Sequence, residues 1–198
     1  MFNRSKYGKL LKVTLIIVIL SVIGIIGIVG YKMYNEHYII TGAKEVISKF
    51  EEEIKNNGRA TIGYKDFNVA GIIRIPDIYL EYPILKENTP EALETSLVLM
   101  YTSQGLNNPG NSVIIGHNYR NEIMFSRLDE LKERDAIYIT DTTGRKTEYR
   151  IYSIYTTEEN ENNYITRNTE GKKEISLSTS TDDSKSKLVI LAREKQEI

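Results

Sequence analysis

The pattern of apolar and polar positions divides the chain into three textures. Residues 13–31 run VTLIIVILSVIGIIGIVGY without a charge. That is about the 20 apolar residues a helix needs to cross a bilayer, and a helix apolar on every face does not suit the core of a small soluble domain. Over residues 35–57 the apolar positions Ile39, Ile40, Ala43, Val46, Ile47, Phe50 and Ile54 recur as i, i+3, i+4, i+7, which predicts an amphipathic helix. The run EEEIK at 51–55 supplies its solvated face, and Asn57-Gly58 its stop. From Val69 onward short β-like runs, several of them alternating apolar with polar, predict strands at 71–75, 79–84, 112–116, 136–140, 146–156, 174–180 and 187–193. Thr142-Thr143-Gly144-Arg145 reads as the turn of a hairpin. Two short helices interrupt the strands. One covers 90–96, with Thr89 as N-cap and Pro90 in the first turn. The other covers 122–133, with Met124, Phe125, Leu128 and Leu131 on one face. Many short strands and few helices predict a closed or nearly closed β-barrel.

Charge orients this arrangement. Arg4, Lys6, Lys9 and Lys12 precede the apolar run, whereas Lys32, Glu36 and Lys44 follow it as a sparser, mixed flank. The positive-inside bias therefore puts residues 1–12 in the cytoplasm and the remainder outside, tethered to the cell membrane by one helix. A cleaved signal peptide is the alternative, but its apolar region is usually 7–15 residues long and is followed by an A-x-A-like site, and neither fits here. The expected organisation is a basic amino terminus (1–12), a transmembrane helix (13–31), a juxtamembrane helical segment (32–68) and a β-domain (69–198). A net charge of -1 over 198 residues argues against a nucleic-acid partner. With no cysteine there is no disulfide, thiolate ligand or thiol nucleophile.

Three residues stand out for chemistry. His117 follows the strand-like run VIIGH, and Gly116 before it permits close backbone approach. A histidine at a strand mouth is placed for general acid–base work. Ser180 ends EISLSTS, and Arg193 ends the apolar KLVILAR. Around them lie I-P-x-I-x-L-x-x-P-I at 75–84, G-N-S-V-I-I-G-H-N at 110–118, M-F-S-R-L at 124–128, L-S-T-S-T at 177–181 and L-V-I-L-A-R at 188–193. In this order, over residues 69–198, these pieces resemble the sortase family of bacterial cell-surface cysteine transpeptidases.

The resemblance implies a mainly β fold, an eight-stranded barrel with short helices in its loops. It also implies a site of a histidine after a strand, a nucleophile closing a T-L-x-T-C-like strand, and an arginine on the next strand. His117 would be the acid/base, Ser180 would stand where the cysteine belongs, Arg193 would steady the oxyanion or clamp substrate, and Thr179 would help bind substrate. The implied partners are LPxTG-like sorting signals of exported proteins and an amine acceptor on cell-wall precursor or pilin.

Ser180 departs from the pattern. A thiol can be lowered to a thiolate near neutrality, whereas a hydroxyl must give its proton to a base during attack. No carboxylate neighbours His117 in sequence, where Gly116 and Asn118 flank it. The chain as written is therefore expected to be impaired, as a deliberate exchange or a natural variant. One alternative is a non-catalytic pseudo-sortase that binds sorting-signal peptides. Another is a membrane-tethered serine peptidase using a lysine base, for which Lys185 and Lys187 sit on what reads as a polar turn. No cofactor is implied. Glu158, Glu159 and Glu161 could offer oxygens to Ca²⁺, but a solvated acidic loop is the plainer reading, as a turn is for Asp182-Asp183. One wall of the peptide groove is expected from the loop at 157–173.

Overall fold

The computed structural model describes residues 4–181 and 185–196. The chain forms two units, the first ending at Ile39 and the second beginning at Ile40. Helix α1 runs Arg4–Asn57 and contributes to both. In the first unit the large apolar side chains from Leu10 to Val29 are exposed. Among the described residues this is the one helix long and apolar enough to cross a membrane, by length and composition. At 1.5 Å per residue the uncharged run spans about 28 Å, close to a hydrocarbon core of ~30 Å.

In the second unit, the end of α1 packs on the β-domain. Val46, Ile47 and Phe50 are buried in one cluster with Ala60, Tyr64, Val69, Ile72, Leu85, Ala92 and Val98. The helix stops where the sequence predicts. Gly58 takes φ 67° and returns its N–H to the Ile54 carbonyl at 2.9 Å, the left-handed closure that glycine adopts most easily.

Among the described residues nine strands follow: β1 (Gly63–Tyr64), β2 (Phe67–Ile75), β3 (Leu80–Leu85), β4 (Leu97–Thr102), β5 (Gly110–Ile115), β6 (Ala136–Asp141), β7 (Lys146–Glu158), β8 (Lys173–Ser180) and β9 (Ser186–Glu194). Their order is β1-β2-β3-β4-β5-β8-β9-β7-β6, and β6 pairs back onto β2. Closure removes the free edges that an open sheet would expose and makes an eight-stranded barrel of β2 to β9, with β1 as a short extension. Two contacts are parallel, β3–β4 and β5–β8. The first needs a crossover, supplied by α2 (Pro90–Thr95), whose cap Thr89 accepts the Ala92 N–H at 3.2 Å. Fully buried Ile73, Ile75, Ile84, Leu97, Ile114, Leu128, Ile137, Ile139 and Ile175 make up much of the core.

One predicted element comes out differently, and one strand, β4, was not predicted. Residues 122–133 do not form a helix; only a 3-10 turn at Leu128–Glu130 is present. Met124 sits at φ 50° and bridges to Asn118 as a β-pair. The Asn121 side chain accepts from the Ile123 N–H and the Ser126 hydroxyl, a local alternative that competes with helix. Strand β4 carries no alternation because Leu97 and Val98 are both buried and the register shifts between Leu99 and Tyr101.

Candidate functional site

The site is built where three chain ends meet. Strand β5 ends at Ile115, level with Ser178 of parallel β8. Two residues further along each chain stand His117 and Ser180. Gly116 makes this close packing possible. A Cβ there would lie 2.3 Å from Leu97 Cδ2 and 2.9 Å from Phe125 Cδ2. The exit of β5 is fastened to β8 by three bonds. The Gly116 N–H donates to Ser178 O at 3.4 Å. The Thr179 hydroxyl donates to Gly116 O at 2.8 Å, and Asn118 Nδ2 donates to Ser180 O at 3.2 Å.

Thr179, which the resemblance implies helps bind substrate, has its side chain inside the structure. It is buried, and its hydroxyl is spent on the Gly116 carbonyl. Along a strand, neighbouring side chains point to opposite faces, so Thr179 ties the two strands together from below while the exposed Ser180 faces outward.

Arg193 lies on β9, the strand after Ser180, but away from it. Strands β8 and β9 are antiparallel, with Ser180 opposite Lys187 and Glu174 opposite Arg193. Six residues of strand, about 20 Å at ~3.3 Å each, separate Arg193 from Ser180's partner. Arg193 Nε donates to Glu174 Oε1 at 2.5 Å, and its guanidinium carbon lies 4.9 Å from the Tyr152 ring centroid. Glu174 is fully buried and is also paired with Arg167. Burial pulls the Arg167 guanidinium below its ordinary value.

The cation that belongs to Ser180 is Lys187. Directly opposed residues of an antiparallel pair carry their Cβ atoms about 5 Å apart on one face. Lys187 is not on a turn, as the sequence reading had it, but on β9. Its Nζ donates to Asn162 Oδ1 at 3.4 Å, which brings the 157–173 segment to the site. The segment is held to the barrel by Asn111, whose Nδ2 donates to the Tyr164 and Ile165 carbonyls at 2.9 and 2.8 Å. The Tyr164 hydroxyl reaches Ser178 Oγ at 3.3 Å.

A carboxylate does face His117, contrary to the expectation from its neighbours in sequence. Helix α2 leads into β4, and Val98 of β4 pairs with Ile115 of β5, so the last turn of α2 lies beside the β5 exit. Glu94 Oε1 is 3.2 Å from His117 Nε2. Its Oε2 accepts from the Tyr119 hydroxyl at 2.6 Å, and the Tyr119 and His117 rings are 5.0 Å apart. Burial, reinforced by the Glu94 carboxylate, pushes the Tyr119 phenol well above the usual tyrosine range. Glu94 carried no sequence signal, being 23 positions from His117. Lys187 carried one: it mirrors Ser180 across the 181–186 connection of a hairpin.

Among the described residues no group of three or more His, Cys, Asp or Glu is arranged to hold a metal. Asp182 and Asp183 lie outside the described residues.

A sortase-domain model matches residues 73–195, more than half of the chain. Sortase A of Bacillus anthracis is 31% identical over 112 residues, covering 56% of this chain and 51% of its own length, so the match spans about half of that relative. A Clostridium perfringens sortase D5 transpeptidase superposes with a TM-score of 0.63 at 24% identity, covering 79% of this chain and 97% of that one. Sortase A from Corynebacterium diphtheriae gives 0.59 at 27% identity, covering 67% and 63%. With its closed eight-stranded barrel and this match over residues 73–195, the chain belongs to the sortase family.

Proposed function

We propose that the chain is a membrane-anchored sortase-type transpeptidase. It cleaves an LPxTG-like sorting signal of exported proteins and joins the acyl part to an amine on cell-wall precursor or pilin. The N-terminal helix holds it in the cell membrane, with the amino terminus in the cytoplasm and the barrel outside. The observation that carries the reading is the convergence of His117, Ser180 and Lys187 at one end of β5, β8 and β9. His117 is the acid/base, Ser180 the nucleophile and Lys187 the cation that steadies the developing oxyanion. A positioned cation at that oxygen is worth most where water is excluded.

Two exchanges slow the reaction. Serine in place of cysteine removes the ready thiolate, and lysine offers a point charge where an arginine would offer a planar fork. A cost of several kcal/mol follows for the first, at about 1.4 kcal/mol per tenfold in rate. The same Ser180 favours a second reading, a pseudo-sortase that binds the signal without cutting it. A third, the lysine-based serine peptidase, gains from the Ser180–Lys187 pairing. Against it, the Lys187 amine is turned to Asn162, with Nζ donating to Oδ1 at 3.4 Å.

Restoring the thiol separates these readings. Ser180→Cys, incubated with LPxTG-like peptides and an amine acceptor, is expected to give transpeptidation product at least a hundredfold faster than the unmodified chain. No turnover across a panel of such peptides would overturn the proposal. Saturable peptide binding without acyl adduct in either form would establish the pseudo-sortase.

A further inference from the structure

We propose that Glu94 is a positioning residue that makes His117 the base for Ser180, so that the chain carries a Ser180–His117–Glu94 relay suited to a hydroxyl nucleophile. The inference rests on the acyl-transfer reading above.

A serine nucleophile needs its proton removed as it attacks, and the imidazole that takes it needs a fixed tautomer and a nearby negative charge. The geometry supplies both. Glu94 Oε1 lies 3.2 Å from Nε2 of His117, and in the proposed relay Nε2 holds its hydrogen toward the carboxylate while Nδ1 takes the Ser180 proton. The carboxylate is itself fixed from a second side by the Tyr119 hydroxyl. Helix α2 holds Glu94 in place through its Thr89 cap and through Ser96, whose hydroxyl donates to Pro83 O at 2.7 Å.

The contact is not there for stability. The Glu94 side chain is 65% exposed, and exposed ion pairs contribute little. Its value lies in orientation.

The step balances without a co-reactant. Ser180 Oγ bonds to the scissile carbonyl carbon while its proton passes to His117. The carbon–nitrogen bond then breaks, and the same proton leaves with the amine. An acceptor amine reverses the sequence: it attacks the ester, gives its proton to His117, and that proton returns to Ser180 Oγ.

The test compares Glu94→Gln in two forms of the full chain in detergent. In the serine form the readout is the rate of Ser180 labelling by a fluorophosphonate. In the Ser180→Cys form it is the rate of thiol alkylation by iodoacetamide. Glu94→Gln is expected to slow serine labelling at least tenfold, to change thiol alkylation less than threefold, and to leave the melting temperature unchanged. Tyr119→Phe is expected to slow serine labelling by a smaller factor. Equal slowing in both forms, or unchanged serine labelling, would overturn the relay. If the serine form does not label at all while Ser180→Cys cleaves sorting peptides, the relay fails and the transpeptidase reading stands. If labelling depends on Glu94 and no form cleaves such peptides, the relay stands and that reading fails.

Discussion

Lys187 and Arg193 lie on one strand, six residues apart, and their partners give them different work. Lys187 faces Ser180, whereas Arg193 faces the buried Glu174. The sequence offered an arginine on the strand after the nucleophile position. Only the hairpin register shows that it points its charge at Glu174 instead. The polar cluster of Glu174, Arg167, Arg193, Asn111 and Tyr152 secures the 157–173 segment to the barrel. Removing one member of a buried ion pair leaves the others uncompensated, which typically costs ~3–5 kcal/mol. Glu174→Gln is expected to destabilise the folded chain by about that amount in denaturant unfolding. A loss below ~1 kcal/mol would show that the cluster is not held together by this charge.

At the scale of elements, legibility followed local pattern. The seven predicted strands are present, with ends displaced by a few residues. Helix α2 was readable from Thr89 and Pro90 because capping is chemistry between sequence neighbours. Strand β4 and the irregular 122–133 segment were not, because a bulge in one and an Asn121-centred turn in the other override periodicity. The β6–β7 turn was readable and is built on Asp141. Thr143 donates to Asp141 Oδ1 through its N–H at 2.9 Å and its hydroxyl at 2.6 Å, and Arg145 Nε donates to Oδ2 at 3.0 Å. Burial alone would raise this carboxyl, but these donors together hold it below its ordinary value. A depressed carboxyl contributes stability that is full above its unfolded value of ~4 and is lost as the pH falls through the folded value. Asp141→Asn is therefore expected to lower stability by about 1–3 kcal/mol at pH 7 and by progressively less below pH ~4. A loss that does not shrink in acid would exclude this charge as its source.

At the scale of the molecule, the long apolar run was the plainest feature of the sequence, because composition alone defines a membrane-length segment. Where the amphipathic end of α1 belongs needed the structure, which buries Val46, Ile47 and Phe50 in the second unit. Burying each such side chain is worth ~1.5–3 kcal/mol. A chain starting at Ala60 is expected to be about 5 kcal/mol less stable than one starting at Ile40, as read by denaturant midpoints. Equal midpoints would mean that this packing contributes nothing. His117 and Ser180 drew notice in the sequence because each follows or closes a strand-like apolar run. The site was not legible for Lys187 and Glu94, which only strand register and the α2 crossover bring in. The most direct measurement is the peptide transfer assay on Ser180→Cys, repeated with Lys187→Met and with Arg193→Met. If the site is the one at the β8–β9 turn, Lys187→Met lowers kcat/KM at least a hundredfold, while Arg193→Met lowers stability and leaves kcat/KM of the folded enzyme within a few-fold. The reverse order, with Arg193→Met inactive and Lys187→Met unaffected, would contradict it.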